Sequence, residues 1–377
     1  MYLGIAGIVA LLAIITLGMG LAPSAPLPLA TPDASSTLAV VETEHIPAEP
    51  AREEPPAIST KAPSVESPPA PKPATKKSAP TPSAPVTKLA PPPQPSQHEF
   101  DTTAARLKEA LVNILCSSGD PRIRPTTGTG VLISDKGYIL TNAHLAQYFL
   151  LAGDPSSGVS CVLRIGSPAH DRYRARAAFV SPSWIRENVS VLRSSNPTGT
   201  GENDFAILAI VGSVTNEPLP SAHPFIPLAT QEPHTKEPVV IGSYGAQFIN
   251  SIEIQTALYP TLAFANIKEV FTFASSTIDV LTIEGSVAAQ KGSSGGGLAR
   301  VPGALVGIIT TSTVEGSTAE RTLASITLPY IAREYARETG HTLATLLSRS
   351  PIEAVAEFAQ EGVTLRTLIQ DDLRNNP

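Results

Sequence analysis

Gly128-Thr-Gly-Val-Leu-Ile-Ser134, Asp135-Lys-Gly137 and Tyr138-Ile-Leu-Thr141 follow one another without a gap. Two short apolar, β-branched runs flank a polar triplet that ends in glycine, which is the signature of a β-hairpin. Thr141-Asn-Ala-His144 then carries the chain out of the second strand and leaves a histidine at its end. The same pattern repeats outward from the hairpin. Val112 to Cys116, Cys161 to Ile165, Tyr173 to Val180, Phe205 to Ile210, Val239 to Gly242, Ile278 to Ile283 and Ala304 to Thr311 are all short strand candidates between turn residues. Many short strands of this kind predict an all-β sandwich or barrels. Helical patterns lie at the margins. Asp101 to Leu111 is amphipathic, with Asp101 as its cap and Leu107, Ala110 and Leu111 on one side. Leu328 to Ala336 is a second, and Ser350-Pro-Ile-Glu353 is a capping box that predicts a helix from Pro351 to about Gln360.

Composition divides the chain. About 20 of its 37 prolines fall between Pro23 and Pro95, so residues 23–98 read as a disordered Pro-rich linker. A net charge of −6 gives no basic footprint and argues against nucleic acid as a partner. Two cysteines and seven scattered histidines offer no ligand spacing, so neither a metal nor another cofactor is expected. Ahead of the linker, Tyr2 to Ala22 is almost wholly apolar, and about 21 residues at 1.5 Å each span roughly 30 Å, a bilayer's hydrocarbon core. Residues 1–22 are therefore expected to be a transmembrane anchor, with membrane contact through 2–22. A cleaved signal peptide is the rival reading, but no Lys or Arg precedes the apolar run, and the small-x-small site ending at Ala25 is followed by Pro26. No basic residue occurs before Arg52, so the remainder is expected to face outward, in the cell envelope.

Three segments carry chemistry: Thr141-Asn-Ala-His144, Glu202-Asn-Asp204 and Gly292-Ser-Ser-Gly-Gly-Gly-Leu298. Singly, each has a bland reading as a structural histidine, a strand-start aspartate and a flexible loop. Together they set a base, a carboxylate and a serine at strand edges of one all-β region. Unassisted serine hydroxyls are poor nucleophiles near neutral pH, and a histidine oriented by a carboxylate supplies the missing base.

With Gly128-Thr-Gly-Val, Ile-Leu-Thr-Asn-Ala-His144, Asn-Asp204-Phe-Ala-Ile-Leu, Val-Val-Ile-Gly242-Ser-Tyr-Gly and Gly-Ser-Ser294-Gly-Gly, the sequence resembles the trypsin-like serine proteases over roughly residues 110–340. Within them it is more similar to the bacterial HtrA-like branch than to the digestive enzymes. The resemblance implies two packed six-stranded antiparallel β-barrels, joined near Pro224 to Thr230, within a protease domain spanning 99–340. It implies a catalytic triad of His144, Asp204 and Ser294, an oxyanion hole from the N–H groups of Gly292 and Ser294, and peptide or unfolded-protein substrates. Ser293 is a second candidate nucleophile, but the family pattern favours the serine directly before Gly-Gly.

The sequence departs from the family in two ways. Residue 293 is a serine, where digestive trypsins have an aspartate that pairs with a newly cut N-terminus, so that latch is not expected. The PDZ domain common in HtrA-like proteins has no room, and residues 341–377 are expected instead to be a helical extension. There Leu343, Leu346, Leu347, Ile352, Val355 and Phe358 would pack on the barrel. Family strand order implies a disulfide between Cys116 and Cys161. The family's pocket floor falls on Ala288, with walls around Ile308, Ile309, Thr310 and Thr311, which predicts preference for a small or medium apolar side chain before the cleaved bond. The nearest acid in sequence is Glu284. The alternatives to an enzyme are an inactive protease fold kept for gripping peptides and a tethered structural envelope protein.

Overall fold

The computed structural model describes residues 94–193, 199–273, 277–312 and 321–376. The apolar segment 1–22 and the linker up to residue 93 lie outside them, and among the described residues no helix is long and apolar enough to cross a membrane.

Helix α1 (Gln97–Ala110) starts inside the expected linker. Ser96, not Asp101, is its cap: the serine side chain accepts from Glu99 N–H, and the Glu99 carboxylate accepts from Ser96 N–H at 2.7 Å. That reciprocal pair satisfies two donors which Asp101, already one turn into the helix, is in no position to reach. Thr103, Leu107 and Ala110 form the buried face. Leu111 belongs to the strand that follows.

That strand, β1 (Leu111–Ser118), opens the first half of the fold together with β2 (Thr126–Leu132), β3 (Tyr138–Thr141), β4 (Val159–Gly166), β5 (Ala169–Val180) and β6 (Ala206–Ser213). They close into an antiparallel barrel in the order β1-β2-β3-β6-β5-β4. The opening hairpin is β2–β3, with Val131 opposite Leu140. Cys116 on β1 faces Cys161 on β4, and the two are joined by a disulfide. Between β3 and β4 the chain forms α2 (Ala143–Ala152), which the strand-rich reading did not anticipate, and Pro182–Glu187 forms the short α3.

The second half is a correction to the expected pair of barrels. Seven strands, β7 (Pro238–Ser243), β8 (Thr261–Asn266), β9 (Glu269–Phe271), β10 (Val280–Glu284), β11 (Gly297–Arg300), β12 (Ala304–Ser312) and β13 (Thr322–Thr327), form one sheet in the order β8-β7-β11-β12-β13-β10-β9. Among the described residues its edge strands β8 and β9 do not pair, so it is a seven-stranded open sheet, not a six-stranded barrel. One face carries a core of its own, with Val239, Ile241, Leu281, Ala288, Leu298, Ile309 and Leu323. Its other face sends Val240, Leu305, Ile308 and Ile326 into the core shared with the barrel. An extra residue in β12 opposite Leu298 and Ala299 lets Leu305 and Ile308 share a face although they are three apart.

Beyond the short α4 (Ser251–Thr256), three helices close the chain: α5 (Leu328–Thr339), α6 (Leu343–Ser348) and α7 (Pro351–Asn375). The capping box at Ser350 and Glu353 forms as read. The helix then runs to Asn375, well past Gln360, because Ala354, Leu365, Ile369 and Leu373 keep one face buried against β5, β6 and α2. Leu343 and Leu346 are buried as expected, whereas Ile352 is 71% exposed.

Candidate active site

β3 and β6 are antiparallel neighbours with Thr141 opposite Ala206. The end of one therefore coincides with the start of the other, and His144, in the first turn of α2, meets Asp204 just before β6. His144 Nδ1 lies 2.8 Å from Asp204 Oδ2, and the backbone N–H of His144 donates to Oδ1 at 3.0 Å. Asn142 Nδ2 donates to the Asp204 carbonyl at 2.9 Å. The carboxylate is buried, and its Oδ2 also accepts from Thr310 Oγ1 at 3.0 Å. With three donors on two oxygens, Asp204 is held in one orientation and fixes the imidazole with it. Trp184 of α3 adds a wall, its ring centroid 6.4 Å from that of His144.

The Gly292–Gly296 segment is held through its carbonyls. Lys291 O accepts from Ala246 N–H, Gly292 O from Thr129 Oγ1, Ser293 O from Gly296 N–H and Ser294 O from Thr129 N–H, all at 2.8 to 2.9 Å. Neither the Gly292 nor the Ser294 N–H group has an acceptor among the described residues. Gly292 has φ +91° and Gly295 φ +79°. A Cβ on Gly295 would stand 2.0 Å from Thr129 O and 2.5 Å from Thr141 Oγ1, so only glycine lets the loop lie this close to the barrel.

Ser294 is half-buried, and its hydroxyl makes no hydrogen bond among the described residues. Ser293 is fully buried and accepts from Ser243 Oγ at 3.2 Å. Two bonds link the Ser294 backbone to the strand that ends just before His144. Thr129 N–H holds Ser294 O while Thr129 O accepts from Thr141 Oγ1, three residues before His144. β12 holds Gly295 and Gly296 through the backbone of Ile309 and Asp204 through the side chain of Thr310.

Residues 128–308 match the family model of the trypsin-like peptidase domain. The chain contains a trypsin-like peptidase domain. It is similar to the active form of the Rv3671c protease from M. tuberculosis, at 21% identity and a TM-score of 0.40, over 69% of this chain and 95% of that one. Against that protease's inactive form the values are 20%, 0.38, 66% and 98%. Against the serine endoprotease from Yersinia pestis they are 21%, 0.40, 66% and 70%. Comparison with the curated proteins gave no match.

The pocket residues of this peptidase domain separate. Ala288 and Ile309 share the second sheet's inner core. Ile308 turns to the shared core, and Thr310 serves as a donor to Asp204, not as a wall. Three contributors escaped the sequence reading: Thr129, Thr310 in its actual role and Trp184. The Gly-Thr-Gly around Thr129 was read for its strand, yet its threonine holds the loop through Gly292 O and Ser294 O. Trp184 belongs to no motif. A cavity of about 540 Å³ lies under α7, lined by Phe179, Tyr335 and Phe358, and none of His144, Asp204 or Ser294 borders it.

Proposed function

We propose that the protein is a serine endopeptidase in which Ser294 is the nucleophile, His144 the general base and Asp204 the residue that orients the base. The observation that carries this reading is the contact of His144 Nδ1 with a buried carboxylate that Thr310 also holds. It fixes the tautomer that leaves Nε2 unprotonated, so Nε2 takes the Ser294 proton as Oγ attacks a peptide carbonyl. The acyl-enzyme forms as the proton passes on to the leaving amine. Water, activated by the same imidazole, then releases the acid. The free N–H groups of Gly292 and Ser294 stabilise the tetrahedral oxyanion, and the four bonded carbonyls keep them from turning away. In ligand-free proteins a catalytic hydrogen bond is commonly long until substrate arrives, which accounts for the unbonded Ser294 hydroxyl.

Peptides or unfolded segments are the proposed substrates, and the outer face of a membrane the proposed location. The apolar Tyr2 to Ala22 and the lack of Lys or Arg before Arg52 support that location, as does the Cys116–Cys161 disulfide, a bond of oxidising compartments. A serine-directed fluorophosphonate probe on the full chain tests the chemistry. Labelling that disappears in Ser294→Ala supports the reading, and no labelling of the wild type points to an inactive peptide-gripping fold.

A further inference from the structure

Arg321 immediately precedes β13 and is only 7% exposed. Its Nη1 donates to Ala289 O at 3.1 Å and to Gln247 Oε1 at 3.2 Å, and its guanidinium carbon lies 5.3 Å from the Phe248 ring centroid. Its own carbonyl accepts from Gly285 N–H. Backbone, hydrogen bonds and ring thus fix the guanidinium in place and plane. Its charge, however, has no carboxylate partner among the described residues. Other arginines withdrawn from solvent have carboxylates: the buried Arg164 has Asp171 at 3.4 Å and the half-buried Arg300 has Glu237 at 2.7 Å. Its Nε is buried without an acceptor, that of Arg321.

A buried cation without a counter-charge is costly, and the group that relieves it most is a carboxylate gripped by the guanidinium fork. The position says where that carboxylate would come from. Arg321 binds the carbonyl of Ala289, next to Ala288 in the loop that leads into Gly292 and Ser294. Leu323, two residues on, shares an apolar core with Ala288 and Ile309. Apolar walls with one oriented polar group are the usual make-up of a selective pocket.

We propose that the pocket beside Ser294 takes an acidic side chain, Glu or Asp, and that Arg321 is the specificity-determining residue that binds its carboxylate. This rests on the endopeptidase reading above and names that site's substrate class. Ala288 taken alone implies an apolar side chain, and it is the charge brought by Arg321 that changes the preference. A site built around an ion pair rejects the neutral isostere because the buried charge is then left unpaired.

The test compares peptides that differ only in Glu, Gln or Leu before the cleaved bond, using the full chain. The expected result is a kcat/KM for Glu at least about tenfold above Gln and Leu. In Arg321→Gln the Glu-to-Gln ratio should fall toward one, and Arg321→Lys should retain part of the preference. Equal cleavage of all three peptides by the wild type would overturn the assignment and leave the endopeptidase reading intact. So would fluorophosphonate labelling without cleavage of the Glu peptide. Parallel loss of Glu and Gln cleavage in Arg321→Gln would make Arg321 a brace for the loop and overturn the assignment too. If that variant does not fold, the wild-type ratio decides alone. Absence of both labelling and cleavage would overturn the endopeptidase reading and this proposal with it.

Discussion

The closed barrel and the open sheet contribute to the cleft in different ways. The barrel supplies side chains: His144 and Asp204 stand at the abutting ends of β3 and β6, fixed by a register that closure leaves no freedom to slip. The sheet supplies backbone, a glycine loop whose carbonyls are tied down and whose Gly292 and Ser294 N–H groups have no acceptor among the described residues. Their surfaces differ too. None of the large exposed hydrophobic side chains lies on the barrel's strands, whereas Phe248, Ile252, Tyr259, Phe264, Phe271 and Val287 all belong to the second half. A barrel has no edges to expose, and α2 and α7 cover this one further, while an open sheet keeps two edges. The proposed chemistry is therefore split between a half that is hard to deform and a half that sets geometry through a single loop.

The sharpest way to break the comparison is to remove side chains from each half. Ser294→Ala and His144→Ala should each lower peptide turnover by about 10⁴-fold or more without altering the fold, because such residues act as a unit. Asp204→Asn should be comparably severe, since an amide favours the wrong imidazole tautomer. Circular dichroism with turnover of a peptide library measures both effects. Ser294→Ala activity within tenfold of wild type would mean that the proposed division of labour is wrong.

A change to backbone alone probes the sheet's contribution. Gly295→Ala leaves every proposed catalytic side chain in place but sets a Cβ against Thr129 O and forces alanine to φ +79°. The loop must shift, and losing one oxyanion donor typically costs about 10²- to 10³-fold in kcat. The loss should appear in kcat more than in KM. Unchanged kcat would mean that the loop tolerates more movement than its four bonded carbonyls imply.

The same contrast explains what was legible in the sequence. Barrel strands alternate clearly, and the β2–β3 hairpin and the Ser350 cap were readable because their signals are local. Strands β8, β9, β11 and β13 escaped: β9 has three residues, and β11 follows directly on the glycine run. Closure of a sheet is a long-range property that no local pattern encodes, and the second barrel was expected only from the family resemblance. His144, Asp204 and Ser294 were legible as motifs, but their supports were not. Thr310 reaches Asp204 across 106 residues and Arg321 reaches Gln247 across 74, contacts that depend on which strands become neighbours.

The cover over the barrel yields a prediction about stability with little effect on chemistry. Leu365 is fully buried where α7 lies on the barrel. Leu365→Ala should cost about 2–5 kcal/mol of unfolding free energy, the range for a buried leucine cut to alanine. Urea denaturation gives the first number, and kcat at low temperature should stay near wild type. A fall in kcat comparable to that of Gly295→Ala would show that the barrel's cover reaches the site after all.

The smallest expected effect lies in the connection between the two halves, at His223. The residue is 5% exposed, its N–H donates to Asp135 O at 2.8 Å, and its ring stands edge-on to Tyr173 at 5.3 Å. Burial lowers its pKa below the ordinary 6.5, and the nearby Asp135 offsets only part of that. Below pH 6.5 the unfolded chain therefore binds a proton that the folded chain resists. The neutral ring's contribution is complete above that value and declines as the pH falls toward the folded pKa. Asp279 and Glu334 have lowered pKa values, burial being outweighed by their hydrogen bonds and arginine partners, so they titrate further down and leave the window between pH 7.5 and 5 to histidine. Urea midpoints measured across that window should decline in the wild type and decline less in His223→Gln, which cannot take up the proton. Identical slopes would mean that the connection opens enough to hydrate His223 in the folded protein, and that the two halves are joined more loosely than the buried ring implies.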